Sequence, residues 1–130
     1  MLRDVREHVL LPEMRRLISD LRVLAHEFAE TPMLPRTHGQ PASPTTLGKE
    51  LANFVYRLSK QTSDFERVEI FGKCNGAVGN FNAHIIAYPN TNWIQLSKDF
   101  IESLDLKYAP YTTQIEPHDW IADYCQALIR

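Results

Sequence analysis

Cysteine is scarce: Cys74 and Cys125 are the only two, too far apart for a metal-ligand pair or for the dense bridging of a small disulfide-stapled domain. Reduced thiols in a cytosolic protein are the default expectation. Five histidines show no paired ligand spacing either, so no metal is expected; no cofactor is expected. An excess of positive charge is also missing. With 14 Lys and Arg against 16 Asp and Glu, the formal net charge of −2 offers no clustered basic face for nucleic acid. No apolar run approaches the roughly 18 residues of a membrane span, and the charged start Met-Leu-Arg-Asp-Val-Arg-Glu-His does not suit a signal peptide. The cytoplasm is the expected compartment. Glycine is confined as well, since all five lie between Gly39 and Gly79.

What is present is mostly helical periodicity, over a length suited to one domain. Leu10, Met14, Leu17, Ile18, Leu21, Leu24, Ala25 and Phe28 recur at steps of three and four, with charges filling most of the other side. Val5 and Val9 extend the stripe, so Pro12 either sits near the first turn or bends a helix that began near Leu2, the longer helix being the expectation, and Thr31-Pro32 ends it. Ser43-Pro44 reads as an N-cap with proline at the first helical position of a second helix, carried by Leu47, Leu51, Phe54, Val55 and Leu58 and weakening through Phe65 toward Ile70. Gly48 inside it costs about 1 kcal/mol relative to Ala, tolerable where another helix or a ligand must come close. Asn92 with Gln95 suggests the cap of a third helix burying Trp93, Leu96, Phe100, Ile101 and Leu104. A last helix starting around Pro117 is expected to bury Ile121, Tyr124, Cys125 and Leu128 and has no stop signal before Arg130. The pattern suggests a piece of a larger helical bundle.

Two stretches carry polar chemistry instead. Arg36-Thr37-His38-Gly39-Gln40 sits between Pro35, Pro41 and Pro44, which stiffen it, and its imidazole can hold or release a proton near neutral pH. An isolated loop histidine is ordinarily an idle surface group. Gly72-Lys-Cys-Asn-Gly-Ala-Val-Gly79 can turn sharply or bring backbone close to a ligand, yet lacks the Gly-Lys-Ser/Thr ending of a P-loop. A turn whose asparagines serve its own backbone is an equal alternative.

Together these stretches are distinctive. Arg36-Thr-His-Gly-Gln-Pro-Ala42, Gly48-Lys-Glu50, Gly72-Lys-Cys-Asn-Gly-Ala-Val-Gly-Asn-Phe-Asn-Ala-His84 and Pro110-Tyr-Thr-Thr-Gln-Ile-Glu-Pro-His-Asp119 closely resemble the adenylosuccinate lyases, a branch of the fumarase/aspartase superfamily. The likeness runs along nearly the whole chain, and the last motif is the most particular to that branch. It implies a mainly α fold, a long-helix bundle fragment of the fumarase/aspartase type, with short extended or hairpin segments around the histidine loop and the glycine-rich stretch. Residues 1–130 would form a single segment of the central helical domain of a larger lyase.

The resemblance implies β-elimination of fumarate from adenylosuccinate and from the succinyl-aminoimidazole-carboxamide ribotide of purine biosynthesis. It carries the general acid onto His38 and substrate contacts onto Gln114 and Thr37, while Gln40 would position the loop. Lys73 and Asn75 are plausible neighbours, and His84 and His118 suit structural roles at least as well. The family's loop serine, within Gly-Ser-Ser-x-Met-Pro-x-Lys-x-Asn-Pro, does not occur in these residues, nor do the segments that hold phosphate and succinyl groups. The chain alone is therefore expected to be inactive. The family works as a homotetramer on a small-molecule substrate, with active sites shared between subunits. Cys74, Phe81 and Trp120 stand where Ile, Tyr and Tyr would be expected, changes that keep size or aromaticity. The alternative is a non-catalytic helical assembly module derived from the same fold.

Overall fold

The computed structural model describes all of residues 1–130. They form two compact units, Met1–Arg67 together with Arg130, and Val68–Ile129, and each is described by itself.

In the first unit, helical structure begins at once, with α1 (Leu2–Val5), a π-helical turn over Arg6–Leu10, and α2 (Leu11–Glu27). The wide turn is the answer to Pro12. A proline in a regular α-turn would press its ring on the carbonyl four residues back, whereas here Leu11 N–H donates to the Arg6 carbonyl five residues back and Pro12 enters the first turn of α2. The helix expected from near Leu2 is present, with its irregularity next to the proline.

The second helix, α3 (Leu47–Glu66), runs antiparallel to α2: Gly48 lies against Ala25 and Ala29 near one end, and Arg15 pairs with Glu66 at 2.7 Å near the other. Its N-cap is Thr46, whose hydroxyl accepts from Lys49 N–H at 3.2 Å, and not Ser43. The correction has a local cause. Thr45 and Thr46 are engaged as a strand, β4 (Thr45–Thr46), paired antiparallel with β1 (Pro32–Met33), so the chain cannot turn helical until Leu47. The helix stops at Glu66 and does not reach Ile70. Leu11 and Phe65 are fully buried and Ile18 nearly so. Leu17, Leu24 and Phe54, expected on buried faces, are exposed.

The second unit starts from a two-residue parallel pairing of β5 (Phe71–Gly72) with β6 (Lys107–Tyr108), extended by Lys107 N–H to the Ile70 carbonyl at 2.8 Å and Ala109 N–H to the Gly72 carbonyl at 3.0 Å. Between these strands lie α4 (Asn82–Ala87) and α5 (Trp93–Ser103), and α6 (Asp119–Ile129) follows. Asn92 caps α5 as expected, its side chain accepting from Gln95 N–H at 3.1 Å. The buried line of α5 differs from the expectation. Ser97 and Ile101 are buried, while Leu96, Phe100 and Leu104 stand 47%, 51% and 48% exposed. Gly72 makes room for Ile101: a Cβ there would meet Ile101 Cδ1 at 3.1 Å and Leu106 Cδ1 at 3.3 Å. Likewise α6 buries Tyr124, leaves Ile121 half-buried, and exposes Cys125 and Leu128. The mainly α architecture with short hairpin and extended pieces is as the sequence implied. No helix is long and apolar enough to cross a membrane.

Candidate active site

The histidine loop is a nested pair of two-stranded ladders between α2 and α3. Inside the β1–β4 pairing, β2 (Arg36–Thr37) pairs with β3 (Gln40–Pro41), in the register Arg36 to Pro41 and Thr37 to Gln40. Two residues, His38 and Gly39, make the turn, with φ of 50° and 77°. A two-residue connection with both φ values positive is the type I′ class that fits the twist of a hairpin, which is why glycine stands second. Histidine in the first position is uncommon for a residue with a side chain, and backbone held in that region is a feature of functional sites. Ala42 N–H donates to the Pro35 carbonyl at 2.9 Å just outside the inner ladder, Leu47 N–H to the Thr31 carbonyl at 3.0 Å, and Gly48 N–H to the Phe28 carbonyl at 2.9 Å. The loop is therefore rooted in the helix pair.

All of Arg36–Pro41 is exposed. His38 stands at the tip, and Thr37 and Gln40, opposite one another in the ladder, present their side chains on one face at its base. The hairpin holds these three close together. A proton carrier on a stiff, open hairpin can meet a reacting group without first giving up protein hydrogen bonds.

Gln114 belongs to the second unit, exposed in the segment between Ala109 and α6. That segment is fastened on both sides of it. Upstream, the Thr112 hydroxyl donates to Oδ1 of fully buried Asn75 at 2.9 Å, and the Thr112 backbone lies against Gly79 so closely that a Cβ on Gly79 would overlap the Thr112 carbonyl. Downstream, one oxygen of Glu116 accepts from His118 N–H at 2.9 Å and from the Trp120 indole at 3.0 Å, with His118 Nδ1 at 2.7 Å. His118 is thus a structural partner of Glu116, set at φ 66°. Sequence reasoning missed Thr112 and Glu116, although both lie inside the motif that singled out Gln114.

The glycine-rich stretch serves mainly its own backbone and this fastening. Phe81 N–H donates to the Asn75 carbonyl at 2.9 Å, and the Lys73 ammonium donates to the Gly76 carbonyl. His84 packs edge-on between Phe81 and Trp93, ring centroids 5.8 Å and 4.9 Å away. Its Nδ1 and the Asn75 amide nitrogen are buried without hydrogen-bond partners. Burial pushes the Tyr108 phenol above its ordinary pKa, with neighbouring Cys74 adding to the shift. A cavity of about 590 Å³ is lined by Phe81, Ile85, Trp93, Tyr108 and Tyr111 among others, and Gln114 is not in its wall.

A family profile described as Lyase matches residues 1–130. The chain belongs to the lyase family. Over its whole length the lyase chain is 53% identical to an adenylosuccinate lyase of Haemophilus influenzae and 52% identical to one of Escherichia coli K12. It spans 28% of the length of each of those proteins. In fold it is similar to a fumarate lyase from Mesorhizobium sp. BNC1 (TM-score 0.77, 24% identity, 98% of this chain and 29% of that one). It is also similar to the 3-carboxy-cis,cis-muconate lactonizing enzyme of Pseudomonas putida (TM-score 0.75, 23% identity, 98% and 28%).

Proposed function

We propose that the lyase chain is the part of an adenylosuccinate lyase that supplies the general acid. Elimination needs two proton transfers. A base removes a proton from the carbon beside a succinyl carboxylate, the electron pair forms the fumarate double bond, the carbon–nitrogen bond breaks, and the departing nitrogen takes a proton. His38 gives that proton, Thr37 orients the imidazole or a substrate carboxylate, and Gln114 binds a carboxylate or base edge through a neutral amide that leaves the charge of the site unchanged. The observation that carries this reading is His38 exposed on a doubly laddered hairpin, in a chain more than half identical throughout to bacterial proteins named for this enzyme.

These residues are a segment of the central helical domain of a larger lyase, and the base, by resemblance a loop serine, comes from outside them, in an active site shared between subunits of a homotetramer. Purified as it stands, the chain therefore releases no fumarate from adenylosuccinate; measurable release would overturn the division of labour. In a complete enzyme carrying these residues, His38→Ala lowers kcat at least about 10²-fold, and an unaltered rate would mean that another group is the acid.

The other reading, a non-catalytic assembly module, draws on the apolar side chains that α2 and α3 leave exposed, among them Leu17, Val23, Phe54 and Tyr56. Complementation decides it: a chain that self-associates in sedimentation yet adds no activity when combined with the remaining segments of a lyase favours the module.

A further inference from the structure

We infer that Thr112 is the positioning residue for Gln114, acting through its hydrogen bond to buried Asn75; the inference rests on the substrate-binding role proposed for Gln114.

Gln114 itself is exposed, so an amide that must present one face to a substrate owes its placement to its backbone. Two Cα steps of about 3.8 Å keep the Gln114 Cα within about 7.6 Å of that of Thr112, and Thr112 is where the segment is tied down. The tie has two parts that reinforce each other. Gly79 lets the Thr112 main chain approach to a distance that any side chain on Gly79 would forbid, and its φ of 85° is one that only glycine adopts readily. The Thr112 hydroxyl then reaches Asn75 Oδ1 at 2.9 Å, on a residue with no exposed surface. Asn75 is held in turn by Phe81 N–H on its carbonyl. The acceptor is fully buried and Thr112 half-buried, so the bond meets less competition from water than one at the open surface and defines a position more sharply. This also gives the glycine-rich stretch a task that its lack of a phosphate-binding ending left open: it is the socket for the Gln114 segment.

The test uses the complete enzyme, comparing Thr112→Val, which keeps the branched shape and loses the hydroxyl, with Thr112→Ser, which keeps the hydroxyl. A segment that has lost its register binds substrate less well before it changes the chemistry, so Thr112→Val raises KM about 10-fold with kcat within about 3-fold of wild type, while Thr112→Ser restores KM. Asn75→Ala removes the acceptor from the other side and reproduces the KM change; it serves as the deciding variant if Thr112→Val yields no folded protein. A folded Thr112→Val or Asn75→Ala enzyme with unchanged KM overturns the inference. Gln114→Ala separates the two claims. If it raises KM and Thr112→Val does not, the positioning role alone fails. If Gln114→Ala changes nothing, the substrate role of Gln114 fails and the inference falls with it.

Discussion

Gly48 and Ala25 sit so close that a Cβ on the glycine would overlap the alanine's carbonyl oxygen. The same imagined Cβ would lie 2.7 Å from the Ala29 main chain, and Gly48 N–H already bonds the Phe28 carbonyl at 2.9 Å. The start of α3 and the end of α2 thus meet backbone to backbone, and the histidine hairpin springs from that junction.

Gly48→Ala is therefore destabilising, although alanine is the better helix former. Propensity favours the change by about 1 kcal/mol, but the obstructing atoms are main chain and cannot swing away, and overpacking costs about 1–3 kcal/mol or more. Contacts this short with main chain put the cost at the upper end, so a net loss of about 2 kcal/mol is expected, read as a lower urea midpoint at unchanged slope. A midpoint equal to wild type would mean that the two helices separate at little cost.

His38→Gly separates stability from chemistry at the hairpin tip. Backbone in the left-handed region costs a residue with a Cβ about 1 kcal/mol, which glycine avoids while losing a comparable amount through its freer unfolded chain. The unfolding free energy of His38→Gly, read from denaturant curves, thus stays within about 1 kcal/mol of wild type, whereas kcat of the complete enzyme falls about 10²-fold. His38→Val places a β-branched residue at φ 50° and lowers stability by about 1–2 kcal/mol. Equal stability of the glycine and valine variants would contradict the turn geometry.

Asp64 supplies a dependence on acid. The Lys60 ammonium at 2.8 Å holds its carboxyl below the usual carboxylate range, with partial desolvation opposing. A carboxyl whose folded pKa is depressed contributes stability above its unfolded pKa and loses it as pH falls through the folded one. The wild-type urea midpoint should therefore drop more between about pH 5 and about pH 2 than that of Asp64→Asn. The pair is exposed, so about 1 M salt should shrink the difference. A drop of equal size in both proteins would show that the ion pair is no stronger in the folded state than in the unfolded one.

Much of this could be seen in the residues alone. The helices follow from apolar steps of three and four, and the Asn92 cap from a side-chain acceptor three residues ahead of a free N–H; both are interactions between near neighbours in sequence, so local spacing suffices. The tight turn at His38-Gly39 and the polar pair flanking it are local in the same way.

Contacts between distant positions were decided by the tertiary structure. Ser43-Pro44 had the composition of a helix start, yet pairing of Thr46 with Pro32 and of Thr45 with Met33, partners distant in sequence, delayed α3 to Leu47. An apolar stripe says that a helix has a face to bury without saying how much of it a neighbour will cover; Ile101 is covered because Gly72 leaves room for it, and Phe100 beside it is not. The hydrogen bond from Thr112 to Asn75 spans 37 positions. Such pairings depend on the path of the chain in space, which spacing along the sequence does not encode.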